Sequence, residues 1–189
     1  MMNAVPKPLE MAKKVISEAV KPGDTVVDAT LGNGHDAHFL ATLVGESGSL
    51  YGFDVQRQAV DSSANRLIDV DCEDIQLKCV GHEQMERFVE GEVAAVMFNL
   101  GYLPSADKSI ISLTETTLQA IHQAQNLLKV NGVISVMCYP GHEGGDEESA
   151  AVSEHFSSLS RRDWRVVQYQ FINAPNNPAY LILAEKLVS

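Results

Sequence analysis

Aromatic residues are few, 6% of the chain with a single Trp, and there are only three cysteines. Cys72, Cys79 and Cys138 are odd in number and form no C-x-x-C pair, which argues against a disulfide framework and against a zinc ribbon. Basic residues are scarce as well: 14 Lys and Arg stand against 25 Asp and Glu, a formal charge of -11. Loose, charge-driven binding to nucleic acid draws its affinity from Lys and Arg, so any RNA contact must be local and shape-driven. No apolar run approaches the ~20 residues that span a bilayer. No signal-type apolar segment follows Lys7, Lys13 and Lys14, so a cytoplasmic location without a membrane partner is expected. There is no internal repeat and no Pro-, Gly- or Ser-rich linker.

What remains is the composition of a globular protein, 45% hydrophobic and 21% charged over 189 residues. One domain over 1–189 is expected, with a helix at about 8–20, a core at about 24–186 and no separate substrate domain. Met11, Ala12, Val15, Ile16 and Ala19 recur at helical spacing before the Lys21-Pro22-Gly23-Asp24 stop. Strands are expected at Thr25–Ala29, Ser49–Phe53, Ile75–Val80, Val93–Phe98 and Val133–Cys138. Between them fall helices around Phe39–Val44, Gln58–Ile68 and Gln84–Phe88, and one marked by Leu118, Ile121, Ala124, Leu127 and Leu128 that Asn131-Gly132 should end. Asp146 reads as the N-cap of a further helix running towards Leu159. Val166–Phe171 and Tyr180–Ala184 have no helix between them and should pair antiparallel. The expectation is an α/β, Rossmann-like, mostly parallel seven-stranded sheet with helices on both faces and a C-terminal antiparallel hairpin, resembling the class I methyltransferase plan. Such sheets bind ligands beyond the carboxyl ends of their strands.

The loop Asp28-Ala29-Thr30-Leu31-Gly32-Asn33-Gly34-His35-Asp36 joins the first strand to its helix, where Gly32 and Gly34 lack the Cβ that would block a nucleotide-like ligand. Asp54 closes the second strand about 20 residues beyond Gly34, where a carboxylate can accept from both ribose hydroxyls of an adenosine. NAD would use the same geometry, but its pyrophosphate favours a helix N-terminus free of acids. S-adenosylmethionine carries an ammonium and a sulfonium, which Asp28 and Asp36 suit better. No Tyr-x-x-x-Lys pair is present to manage the proton of hydride transfer. His82, beside Glu83 after the third strand, sits where an adenine edge would be gripped, or else caps a surface helix.

Asn99-Leu100-Gly101-Tyr102-Leu103-Pro104 follows the fourth strand and resembles the Asn-Pro-Pro-Tyr motif of amino-methyltransferases. An Asn oxygen and a neighbouring carbonyl can accept both hydrogens of an amine and aim its lone pair at a methyl carbon, while an aromatic ring stacks on the attached base. Asn99 and Tyr102 are the candidate reaction residues. Tyr139-Pro140-Gly141-His142 and Asn173 to Pro178 should face the same rim, with His142 as a candidate proton acceptor. Other readings are weaker. His35, Asp36 and His38 also fit a polar cofactor loop, so no metal is assigned. Cys138 ends an apolar strand as core cysteines do, against a reading as the covalent nucleophile of a C5-uridine methylase. Lys7, Lys13 and Lys14, and Arg161, Arg162 and Arg165, read as solvated helix faces and as the first places to look for an RNA groove.

Taken together, Asp28 to Asp36, Gly52-Phe53-Asp54-Val55-Gln56, Asn99 to Pro104 with Asp107-Lys108, Tyr139 to His142, and Phe171-Ile172-Asn173 with Asn177-Pro178 resemble one family. It comprises small bacterial class I methyltransferases labelled rRNA methylases, with members that methylate 5-aminomethyl-2-thiouridine at the tRNA wobble position. The resemblance runs from about residue 24 to 186. It implies S-adenosylmethionine as cofactor, held by Asn33, His35, Asp36, Asp54, Gln56 and His82, with Asp28, Gly32, Gly34 and Asn99 completing the expected cofactor set. The amine is then held at Asn99 and the base near Tyr102 and Tyr139, and Gly101, Pro104, Asp107, Lys108, His142 and Asn177 join the substrate side. The implied partner is the anticodon region of tRNA, and a homodimer is left open. Ser105-Ala106, Ala174-Pro175 and Pro178-Ala179 depart from the family pattern, all on the substrate side. Another RNA, a small-molecule amine, an NAD oxidoreductase and a non-catalytic binding domain are the competing functions.

Overall fold

A computed structural model describes residues 4–101, 114–141 and 144–188. The chain alternates α1 (Pro8–Ala19), β1 (Thr25–Asp28), α2 (His35–Val44), β2 (Ser49–Phe53), α3 (Arg57–Arg66), β3 (Asp74–Lys78), a 3-10 segment (His82–Arg87), β4 (Val93–Asn99), α4 (Thr114–Leu127), β5 (Leu128–Cys138), α5 (Gly145–Ser157), β6 (Trp164–Tyr169) and β7 (Tyr180–Lys186). The seven strands form one sheet in the order β3-β2-β1-β4-β5-β7-β6. β1 to β5 run parallel, and β7 is antiparallel to both β5 and β6.

The central strands are buried on both faces, which is why they read as unbroken apolar runs. Val27, Val96, Phe98, Ile134, Val136 and Ile182 face one way, against the 3-10 segment, α4 and α5. Val26, Ala95, Met97, Val133 and Leu183 face the other, against α1, α2 and α3. Helix α1 starts with Pro8, whose missing N–H costs nothing there, and the Lys7 N–H donates to the Glu10 carboxylate at 2.8 Å. Its fully buried Ala12 and Ile16 fix it on the sheet, Ile16 alone contributing roughly 2 kcal/mol of apolar burial. Tyr169, at the end of β6, donates its hydroxyl to the Pro6 carbonyl at 2.8 Å and ties down the entry to α1.

Three local expectations are corrected. The helix carrying Ile121 ends at Leu127 and not at Asn131-Gly132; Leu128 already pairs with Val93, and the ladder resumes at Val133 after an irregularity in which Asn131 takes φ +63°. Lys186 decides this end, because its ammonium donates to the carbonyls of Gln125 at 3.1 Å and Leu128 at 2.8 Å. The cap of α5 is Gly144 at φ +76°, while Asp146 lies in the first turn and accepts from the Asn177 amide at 2.9 Å. The helix expected near Gln84–Phe88 is a 3-10 turn beginning at His82.

Chain order decides where the site falls. From β1 the sheet grows outward through β2 and β3, and β4 returns to its other side. The crevice at the carboxyl ends of β1 and β4 is therefore the topological switch point of the sheet.

Candidate active site

Asp28 ends β1 and is 1% exposed. One carboxylate oxygen accepts the Thr30 N–H at 3.1 Å, and the other has no partner among the described residues. Burial first, then the nearby Asp36 charge, push this carboxyl up to about 7. An orphaned buried oxygen on a half-ionised acid fits an ammonium ligand, and would fit a pyrophosphate badly.

The loop that follows is braced from below. The Asp54 carboxylate accepts the Gly32 N–H at 3.0 Å and the Gln56 N–H at 2.9 Å, so the carboxyl ends of β1 and β2 are joined through one side chain. Each oxygen keeps a second lone pair, as a ribose diol requires. From α3, the buried Ser63 hydroxyl donates to the Gly32 carbonyl at 3.3 Å and the Arg66 guanidinium to the Asn33 carbonyl at 2.7 Å. Sequence reasoning missed both braces; their only trace is the i, i+3 polar pair interrupting the apolar face of Ala59, Val60 and Leu67. Gly34 has a structural reason to be glycine: it sits at φ +75°, and a Cβ there would lie 2.8 Å from the Ser63 Cα. Gly34→Ala should destabilise the protein by roughly 2–4 kcal/mol through backbone strain and overpacking, measured by denaturant unfolding. A loss under about 0.5 kcal/mol would show that the loop and α3 are not locked together. His35 and Asn33 lie exposed at the loop's outer edge.

His82 is the first residue of the 3-10 segment, with its ring edge-on to Phe98 and its Nδ1 3.1 Å from the Ala29 carbonyl. A carbonyl only accepts, so Nδ1 carries the proton, and burial lowers the imidazole pKa, which leaves Nε2 as a bare acceptor. Such an acceptor suits an exocyclic amino group. The segment is held against α4 by Gln123, which donates to the Glu83 carbonyl and accepts the Glu86 N–H at 3.0 Å.

Asn99 ends β4 directly across the crevice. Its N–H donates to the Thr30 hydroxyl at 2.8 Å, and its side-chain nitrogen faces the Asp36 carboxylate at 3.5 Å. Asp36, 8% exposed, also pairs with the Lys13 ammonium at 2.8 Å. Lys13 is thus no solvated helix face: it sits beside the crevice with its ammonium 5.1 Å from the centre of the Phe39 ring. Gly101 follows at φ +133°, a backbone that L side chains rarely adopt. Tyr139 is half-buried, its phenol pushed up by burial and then by Asp36. A Cβ built on Gly141 would lie 3.8 Å from the Asn177 carbonyl, so the loop after β5 and the loop before β7 approach each other there. Tyr102, Pro104, Asp107, Lys108 and His142 lie outside the described residues.

Other candidates do not carry the chemistry first considered for them. Cys138 is fully buried and its thiol is pushed up to about 12 by burial, the state of a core residue rather than a nucleophile. Arg161, Arg162 and Arg165 lie exposed around the start of β6, where Arg165 pairs with Glu185. His35, Asp36 and His38 do not form a metal-holding group of three or more ligands, and none occurs among the described residues. Among those residues, too, no helix is long and apolar enough to cross a membrane.

The sheet order, the antiparallel β7 and the switch-point crevice between an acidic glycine loop and an Asn-ended β4 define a class I methyltransferase. The profile of the family described as "Putative rRNA methylase" matches residues 50–185, and the chain belongs to that family. It is 36% identical over 192 residues to a protein of Arabidopsis thaliana named "tRNA (mnm(5)s(2)U34)-methyltransferase, chloroplastic", covering 95% of this chain and 70% of that one. A crystal structure from Clostridium thermocellum, titled a putative rRNA-methylase, is 41% identical with a TM-score of 0.94, covering 98% of this chain and all, 100%, of the other. A methyltransferase structure from Streptococcus mutans in complex with SAH is 35% identical with a TM-score of 0.88, covering 97% and 99% of the two chains. The protein is an S-adenosylmethionine-dependent methyltransferase.

Proposed function

We propose that the protein methylates the aminomethyl nitrogen of 5-aminomethyl-2-thiouridine at the wobble position of tRNA, in the cytoplasm. The carrying observation is the orientation of Asn99. Its amide nitrogen faces the Asp36 carboxylate, so its oxygen points away from that acid as a hydrogen-bond acceptor at the carboxyl end of β4. An acceptor there suits a group with hydrogens to donate, as an amine has. The 36% identical Arabidopsis relative is named for a methylated aminomethyl thiouridine at a wobble position, which agrees with that chemistry.

In this reading the loop from Gly32 to His35, with Asp54 and Gln56, would hold the ribose of the cofactor, His82 would accept from its adenine amino group and Asp28 would pair with its ammonium. When bound, S-adenosylmethionine supplies an electrophilic methyl carbon on a positively charged sulfur. Asn99 aligns the neutral amine for in-line attack, in which the nitrogen–carbon bond forms as the carbon–sulfur bond breaks and the amine then sheds a proton. Positioning matters more than base strength for such a displacement. Tyr102 and Tyr139 take the base, His142 accepts the proton, and Gly101, Pro104, Asp107, Lys108 and Asn177 shape the rim that admits the anticodon loop.

Nucleoside analysis of tRNA from a strain lacking the gene tests this. Accumulation of unmethylated 5-aminomethyl-2-thiouridine is the expected result, and an unchanged tRNA profile overturns it. Loss of a methylated nucleoside from rRNA instead would move the substrate to the one named in the family's description.

A further inference from the structure

We infer that Lys13, on the N-terminal helix, is a positioning residue for methyl transfer: its ammonium holds the Asp36 carboxylate in place, and Asp36 in turn fixes which end of the Asn99 amide faces the substrate. The inference rests on the amine reading of Asn99 given above.

The geometry is a relay of three side chains from three elements. Lys13 of α1 places its ammonium 2.8 Å from one oxygen of Asp36 on α2, and the other oxygen of Asp36 lies 3.5 Å from the Asn99 side-chain nitrogen at the end of β4. Asp36 is 8% exposed and shares its surroundings with Asp28, so an unpaired charge there would be costly. Lys13 supplies the pairing charge, and its position is set by the Phe39 ring one helical turn from Asp36. The helix beneath it is held by buried Ala12 and Ile16 and by the Tyr169 bond to Pro6.

The charge on Asp36 matters because of what an amide does beside it. Facing a carboxylate, a primary amide presents its NH2, since turning over would set oxygen against oxygen. Without the Lys13 contact the Asp36 carboxylate is free to turn away from the Asn99 amide, which then loses the partner that sets its orientation, and an amide nitrogen can point at the amine. Lys13 and Asp36 both lie outside the stretch 50–185 matched by the family profile.

Lys13→Met retains the apolar stem against Phe39, Lys13→Arg retains the charge, and Asp36→Asn removes the acid directly. Steady-state methylation of tRNA at saturating cofactor, calorimetry with S-adenosylhomocysteine, and the ¹⁵N side-chain amide resonance of Asn99, assigned by its absence in Asn99→Ala, are measured on the full chain. Lys13→Met should lower kcat about 10- to 100-fold, shift the Asn99 resonance and leave cofactor affinity within about twofold, and Asp36→Asn should lower kcat and shift the resonance in the same way. Lys13→Arg should restore both kcat and resonance towards wild type. The inference is overturned if Lys13→Met keeps wild-type kcat, if kcat falls while the resonance stays in place, or if cofactor affinity drops tenfold with saturated kcat unchanged. The last result would make Lys13 a cofactor ligand. Should the wild type methylate no tRNA, the substrate reading fails, and the resonance alone decides for or against Lys13. If Lys13→Met does not fold, Asp36→Asn carries the kcat and resonance readouts.

Discussion

Asn99→Ala is expected to reduce methyl transfer at saturating cofactor by at least about 100-fold while leaving S-adenosylmethionine affinity within about twofold. The split follows from position. Asn99 reaches the crevice from β4, whereas the elements proposed to grip the cofactor come from the β1 and β2 ends and from the 3-10 segment. The Asn99 backbone bond to Thr30 survives the substitution, so the loop is not released. Asn99→Asp should be equally inactive near neutral pH. A carboxylate in place of the amide would be repelled by Asp36 and would hold the substrate amine protonated, with no lone pair to attack. Single-turnover transfer and calorimetry measure the two quantities separately. Transfer at the wild-type rate in Asn99→Ala would remove the amine-aligning role.

The second large effect concerns pH. Asp28 is raised from 3.8 to about 7 by burial and by Asp36. The folded protein therefore holds a proton, between those two values, that the unfolded chain has already released, and stability falls as pH rises through that window. Asp28→Asn, which cannot ionise, should make the cofactor-free protein more stable by roughly 2 kcal/mol above pH 7, measured by urea unfolding. A ligand whose ammonium faces Asp28 selects the ionised form. Wild-type affinity for S-adenosylmethionine should then weaken as pH falls below 7, approaching about tenfold per unit, and Asp28→Asn should bind weakly with a flat pH profile. A wild-type affinity independent of pH between about 5.5 and 8.5 would place the ammonium elsewhere.

Much of this arrangement is legible in the residues, because strands buried on both faces leave continuous apolar runs. Ser49–Phe53 forms a strand over its full expected length, and Val133–Cys138 ends where expected. The glycine loop, Asp54, His82 and Asn99 gather at one end of the sheet because each closes or follows a parallel strand, and parallel strands end on the same side. What escaped prediction depends on partners far along the chain. The end of α4 is set by Lys186, about 60 residues on. Lys13 looked like a surface lysine because its partner, Asp36, belongs to another helix, and nothing in the spacing of either residue announces the pair. Ser63 and Arg66 brace the glycine loop from α3, across a sequence distance that no periodicity reports. Gly34 was expected to be glycine for the ligand's sake, yet the helix behind it already demands one.

The most direct measurement is a crystal structure of the protein with S-adenosylhomocysteine and an oligonucleotide carrying 5-aminomethyl-2-thiouridine. The predicted result has the ribose on Asp54, the amino group at the free oxygen of Asp28, and the sulfur facing the substrate nitrogen held by Asn99. An adenosine bound away from the Asp28–Asp54 loop, or a substrate nitrogen out of reach of Asn99, would contradict it.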